Sequence, residues 1–159
     1  MRFATAIAVL LAMTPVITTA GTDAVEFPEG WRDWRHVKSM VLLPGHGLYE
    51  GLGGVHHIYA NKLALDGYRK GKFPDGAIIV VDFFKEMVGE NAVTEGNRKF
   101  IAVAHKNASK WKATGGWGWE AFAAGDKSKP LVGANAAANC FQCHTAQKDH
   151  DYVFSVTRE

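Results

Sequence analysis

Hydrophobic and polar positions beyond residue 27 fall into short runs punctuated by glycine and proline, and most of the runs have the period of a strand. Ala77 to Phe84 is the strongest, a nearly unbroken β-branched and aromatic stretch that predicts a strand buried on both faces. Val55 to Ala60 and Lys99 to His105 alternate as strands do, and Met40 to Leu43 predicts a shorter strand stopped by Pro44 and Gly45. Trp117-Gly118-Trp119 puts two indoles on one strand face, and Tyr152 to Val156 predicts a last short strand. Helical spacing is confined to three places. Trp31 to Val37 carries Trp31 and Trp34 on one side, and Lys62 to Lys70 is amphipathic, with Asn61 placed to cap it and Gly71 to end it. Ala134 to His144 is alanine-rich. The glycine-dense Gly45 to Gly54 and the polar Glu90 to Asn97 read as loops, while Phe73-Pro74-Asp75-Gly76 and Thr114-Gly115-Gly116 read as turns. Many strands, short connections and few helices predict an α+β fold, mainly antiparallel sheet. That pattern excludes an all-helical fold such as a four-helix bundle, which needs four long amphipathic helices.

The first twenty residues follow another logic. Arg2 supplies a positive start, Phe3 to Met13 is an apolar run, and Thr18-Thr19-Ala20 is a small-residue cleavage site. Residues 1–20 are thus expected to be an export leader removed after Ala20, leaving a single domain over 21–159 in a periplasm. The run is too short to span a membrane comfortably, and nothing later is long or apolar enough. The formal charge of +2 falls to +1 once Arg2 is removed, which argues for neither nucleic acid nor anionic membrane as a partner. Nine Phe and five Trp suit a cofactor pocket or any β-rich core equally.

Chemistry concentrates at Cys140-Phe141-Gln142-Cys143-His144. C-x-x-C-H is the attachment signature of a c-type haem: the thiols become thioethers on the vinyl groups, and the following imidazole ligates iron. Residues three apart on a helical turn face the same way, which the double attachment needs. A thioredoxin-like dithiol would open a helix after an early strand, whereas this pair lies near the C-terminus. A zinc site would need further ligands, and the chain has two cysteines in all. With both claimed by haem, no disulfide is expected.

His57-Ile58-Tyr59-Ala60-Asn61, Gly71-Lys72-Phe73-Pro74-Asp75-Gly76, Thr114-Gly115-Gly116-Trp117-Gly118, the C-x-x-C-H segment and Asp151-Tyr152-Val153-Phe154-Ser155 occur in the order seen in the cytochrome P-460 family, which the chain resembles over nearly all of residues 21–159. The resemblance implies a mainly antiparallel sheet, a homodimer, and one covalently attached haem c ligated by His144. It also implies one of two activities. Cytochrome P-460 proper oxidises hydroxylamine and carries an additional haem–lysine bond; cytochrome c′-beta lacks that bond and binds nitric oxide and carbon monoxide in an apolar distal pocket.

The position of that lysine, five residues beyond the Asp-Gly turn, is Val81 here. Lys85 lies about 13 Å further along the strand, about twice the reach of its own side chain. By the resemblance, Ile79, Val81 and Phe83 present an apolar wall to the distal side, with ordinary core packing as the alternative. The basic distal residue of the P-460 branch matches His56, and strand alternation allows only one of His56 and His57 on the haem side. Ala102 and Ala104 stand where a hydroxylamine-oxidising enzyme would want a carboxylate, and His105 has the opposite parity. Three readings follow: binding of nitric oxide or a similar diatomic gas; oxidoreduction of hydroxylamine or nitric oxide; or electron transfer to a redox partner protein, with Met40, Met87, His46 or His105 as a sixth ligand.

Overall fold

A computed structural model describes residues 24–158, so the expected leader lies outside the described residues. Five antiparallel strands form one sheet in sequence order: β1 (Arg35–Leu42), β2 (Gly54–Ala60), β3 (Ile78–Gly89), β4 (Ala92–Lys106) and β5 (Trp117–Ala123). Helix α1 (Tyr49–Leu52) joins β1 to β2, and α2 (Lys62–Lys70) joins β2 to β3. The α+β class, mainly antiparallel sheet with a few short helices, is the one the pattern predicts. Among the described residues no helix is long and apolar enough to cross a membrane.

The register sorts the side chains into two faces, because directly paired residues of an antiparallel ladder point the same way. Ile58 pairs with Val81 and Val81 with Ala102; Ala60 pairs with Ile79, Ile79 with Ala104, and Ala104 with Trp119. This is the front face. Its core of Val37, Ile58, Ala60, Ile79, Ala104, Trp117 and Trp119 is closed by Ala64 of α2, by Phe73 and by Val153 from the C-terminal segment. The back face buries Val80, Ile101, Val103 and Phe122 against Val25, Trp31 and Trp111. Two-sided burial explains why β3 reads as a continuous apolar run.

α2 forms as its punctuation predicts. The Asn61 carboxamide oxygen accepts from Ala64 N at 2.8 Å, and Gly71 takes a left-handed φ of 69° after the last turn. Asn61 also donates to the carbonyl of Gly76 at 2.9 Å and accepts from Ile78 N at 3.1 Å, tying the Phe73–Gly76 turn to the start of the helix.

Four expectations are corrected. Trp31 to Val37 is not one helix: a 3-10 turn covers Trp31–Asp33 and β1 begins at Arg35. A break in register between His36 and Lys38 turns Val37 into the front core while Trp31 packs at the back, and that bulge imitates helical spacing. Gly45 to Gly54 contains α1. Glu90 to Asn97 is not a loop: Glu90 and Asn91 take positive φ (49° and 60°) and close a two-residue hairpin between Gly89 and Ala92, and the residues from Ala92 on are strand. Met87, Val88 and Val93 at that end are exposed, so the hairpin needs no buried face and shows no alternation. Tyr152 to Val156 has no ladder partner: Val153 is buried and Phe154 exposed, as on a strand, but the N–H groups of Tyr152 and Val153 turn back to the carbonyls of Gln147 at 2.7 Å and His150 at 3.2 Å.

Close packing on the back face has a direct test. A Cβ at Gly118 would lie 2.3 Å from the Trp111 ring, whereas one at Gly89 would meet nothing within 4 Å. Gly118→Ala should cost about 1–3 kcal/mol in urea denaturation, as overpacked cores do, with Gly89→Ala close to neutral.

Candidate haem-binding site

The C-x-x-C-H segment is helical but broken, and the unbroken helix expected over Ala134 to His144 is corrected to three pieces. A 3-10 turn at Gly133–Asn135 passes into a π turn at Ala137–Phe141 and then α3 (Gln142–His144). π turns are uncommon and concentrate at functional sites. Glu120 anchors the approach to this segment: its buried carboxylate accepts from the backbone N–H of Val132 at 2.7 Å and Gly133 at 3.0 Å. The segment lies over the front face, with Cys140 and Phe141 packed on its core.

Both thiols are free, Cys140 half-buried and Cys143 exposed. Burial, with a smaller contribution from Glu120, pushes the Cys140 thiol up to about 11. A thiol held protonated in this way is the reverse of the activated thiolate of a dithiol redox centre.

His144 is fixed on three sides. Its Nδ1 lies 2.6 Å from the carbonyl oxygen of Tyr152, its ring packs on Trp119 at 4.1 Å between centroids, and Phe154 meets it edge-on at 5.0 Å. A carbonyl can only accept, so Nδ1 carries the proton and Nε2 the lone pair. Burial holds His144 below the usual imidazole range, partly offset by the bond to Tyr152, which keeps the ring neutral and able to ligate.

These residues fit a haem. Two thiols one helical turn apart adjoin an imidazole whose Nε2 keeps its lone pair, beside a mainly apolar sheet face. The indole N–H of Trp119, buried next to His144, has no protein partner, as a group lining a cofactor site would.

Further along the front face the register brings together His56, Phe83, Phe100 and Ala123 in one row, with Val81, Ala102 and Ala121 in the next. His56, not His57, therefore shares the face of Val81 and of the C-x-x-C-H segment. It is buried against Phe83 at 4.2 Å, and Phe83 stacks on Phe100 at 4.3 Å. Its Nε2 donates to the carbonyl of Leu52 at the end of α1, which leaves Nδ1 as an acceptor. His57 points to the other face, between Ser39 at 2.7 Å and Glu95 at 2.5 Å. Ile79 lies in the front core beneath α2 and the C-terminal segment.

The other candidates are scattered. His105 faces the back and packs on Trp111 at 5.3 Å; Met87 is exposed on the hairpin, and His46 sits in the loop before α1. Met40 pairs with His56 on the front face but is 43% exposed. Lys85 falls at a double break in register, Phe83/Phe84 and Phe84/Glu86, so strand alternation from Val81 does not carry across the bulge to it.

Sequence reasoning missed Lys99, Glu120 and Tyr152. Lys99 is displaced into the β4 bulge, and its Nζ donates to the Gly53 carbonyl at 2.9 Å, next to His56. Charge on a strand and buried burial partners across the fold leave no local signal; only the polar Glu120 among apolar neighbours was available to flag its site.

The sequence model of the family described as Cytochrome P460 matches residues 28–155. The chain belongs to the cytochrome P460 family. It is accordingly a haem cytochrome, and the match takes in every strand and the C-x-x-C-H segment. No curated protein matches the chain.

Burial holds His56 and His105, as well as His144, below the ordinary imidazole pKa. The unfolded chain then binds more protons than the fold once pH falls below about 6.5. Stability should be steady above that value and decline below it. Urea midpoints measured across the range should show this, and His105→Gln should flatten the acid limb.

Proposed function

We propose that this cytochrome P460 family member binds one haem c through thioethers to Cys140 and Cys143, with His144 Nε2 as axial ligand, and takes up nitric oxide or a similar neutral diatomic gas on the distal side. When bound, the haem supplies the iron at which such a ligand is held. The chain supplies the rest. Cys140 and Cys143 tether the group, and the Tyr152 carbonyl fixes the tautomer and orientation of His144. Val81, Phe83, Phe100, Ala102 and Ala121 form an apolar surface suited to an uncharged ligand, since desolvating a charged one is costly.

The observation that carries the reading is the 2.6 Å contact of His144 Nδ1 with a carbonyl, which leaves Nε2 for iron. Val81 at the position of the cross-linking lysine favours the branch without that bond. Oxidation of hydroxylamine is the second reading, favoured by His56 and Lys99 lying together; against it, both donate to carbonyls around α1, and no carboxylate occupies Ala102 or Ala104. Export to a periplasm and a homodimer belong to the same proposal. The exposed Met87, Val88 and Val93 of the hairpin offer a surface to a second copy.

His144→Ala should retain covalent haem on a denaturing gel while its native spectrum changes. Replacing Cys140 and Cys143 together by Ser should abolish covalent haem. Wild-type ferrous protein should bind carbon monoxide and show only sulfur links to haem on peptide mass mapping. A haem link to a lysine peptide, or an unchanged His144→Ala spectrum, would overturn the assignment.

A further inference from the structure

Tyr152 holds His144 through a main-chain atom, so what aims that carbonyl is the conformation of the turn before it. Asp151 and Tyr152 both occupy the left-handed region, with φ of 51° and 67°. Non-glycine residues rarely take it, two in succession more rarely still, and such backbone persists only where its surroundings impose it. Here they do. The Asp151 carboxylate accepts from Lys106 Nζ at 2.7 Å on one oxygen and from the backbone N–H of Phe73 at 2.8 Å on the other. The Asp151 carbonyl accepts from the Trp117 indole at 2.8 Å. Lys106 also donates to the Gly115 carbonyl at 3.0 Å and lies over the Trp117 ring at 5.0 Å. Gly115 itself is shaped for Tyr152: a Cβ there would sit 2.3 Å from the Tyr152 ring.

We infer that the buried Lys106–Asp151 ion pair is the positioning device of the axial ligand, acting on His144 through the Tyr152 carbonyl and thereby setting how strongly the imidazole donates to iron. This rests on the proposed ligation by His144. Burial gives the pair its leverage, with side chains 7% and 12% exposed. A pair so placed is poor evidence for stability, because desolvation offsets most of its attraction, but it defines one geometry. The Lys106 ammonium has acceptors at Asp151 and Gly115, and any other placement of Asp151 would strand the charge. Three separate stretches of sequence, at Phe73, at Lys106 and at Gly115 to Trp117, converge on this turn.

A carbonyl accepting from the Nδ1 proton raises the basicity of the ligating nitrogen, and removing such an outer partner typically costs about 10- to 100-fold in metal affinity or activity. Loosening the turn should lower the iron–histidine stretching frequency of the ferrous protein and raise its midpoint potential. Three variants of the haem-loaded protein test this. Asp151→Asn keeps a residue tolerant of left-handed φ but removes the charge; Lys106→Met removes the other partner; Gly115→Ala displaces the Tyr152 ring while keeping both charged side chains. Val80→Ala, on the back face, controls for stability alone. All three should shift the band and the potential in the same direction, and the control should lower the melting temperature without moving either. Should Asp151→Asn or Lys106→Met fail to fold, Gly115→Ala read against Val80→Ala still decides. A band at the wild-type frequency in the folded variants sinks the positioning role. A band that survives in His144→Ala instead sinks the ligand assignment beneath it.

Discussion

A sheet buried on both faces needs two covers, and here the front cover is assembled from α2 and the last residues of the chain. Val153 enters the front core beside Phe73 and Trp117, and Phe141 and Cys140 pack on the same cluster. The hydrophobic requirement that closes the sheet therefore also lays the C-x-x-C-H segment on it. What the hydrophobic effect cannot do is orient an imidazole, since burial has no direction. Orientation comes from the one strongly directional element nearby, the Tyr152 carbonyl facing His144 Nδ1, and from the left-handed turn that presents it.

The two ends of the front face divide the work. At the β5 end, Trp119, Phe154 and the Tyr152 carbonyl enclose His144. Toward the hairpin, His56, Phe83 and Phe100 form an aromatic row in which His56 Nε2 is engaged by the short helix α1. A mainly apolar surface without a carboxylate at Ala102 or Ala104 agrees with the proposed uptake of a small neutral molecule better than with proton-coupled oxidation, which asks for acids and bases at the site.

Much of this was legible in the sequence where a local rule applied. The capping of α2 by Asn61, the apolar run of β3 and the helical C-x-x-C-H each follow from neighbouring residues, and the parity of β2 put His56 rather than His57 in line with Val81 once the register was known. The failures share a cause. Bulges at Val37 and around Lys85 and Lys99 break the alternation on which facing arguments depend, and they arise from pairing with another strand. Glu90 to Asn97 reads as a loop because that end of the hairpin stands clear of the core. Lys106 and Asp151 are 45 residues apart, so nothing in either neighbourhood announces the other.

The central claim is that His144 ligates iron through Nε2 while its Nδ1 proton is held by Tyr152. Proton NMR of the haem-loaded ferric protein, made low-spin with cyanide and recorded in light and heavy water, addresses it most directly. The account predicts a hyperfine-shifted, slowly exchanging imidazole N–H assigned to His144, with a through-space contact to Tyr152. A rapidly exchanging proton at that site, or a shifted imidazole belonging to another histidine, would contradict it.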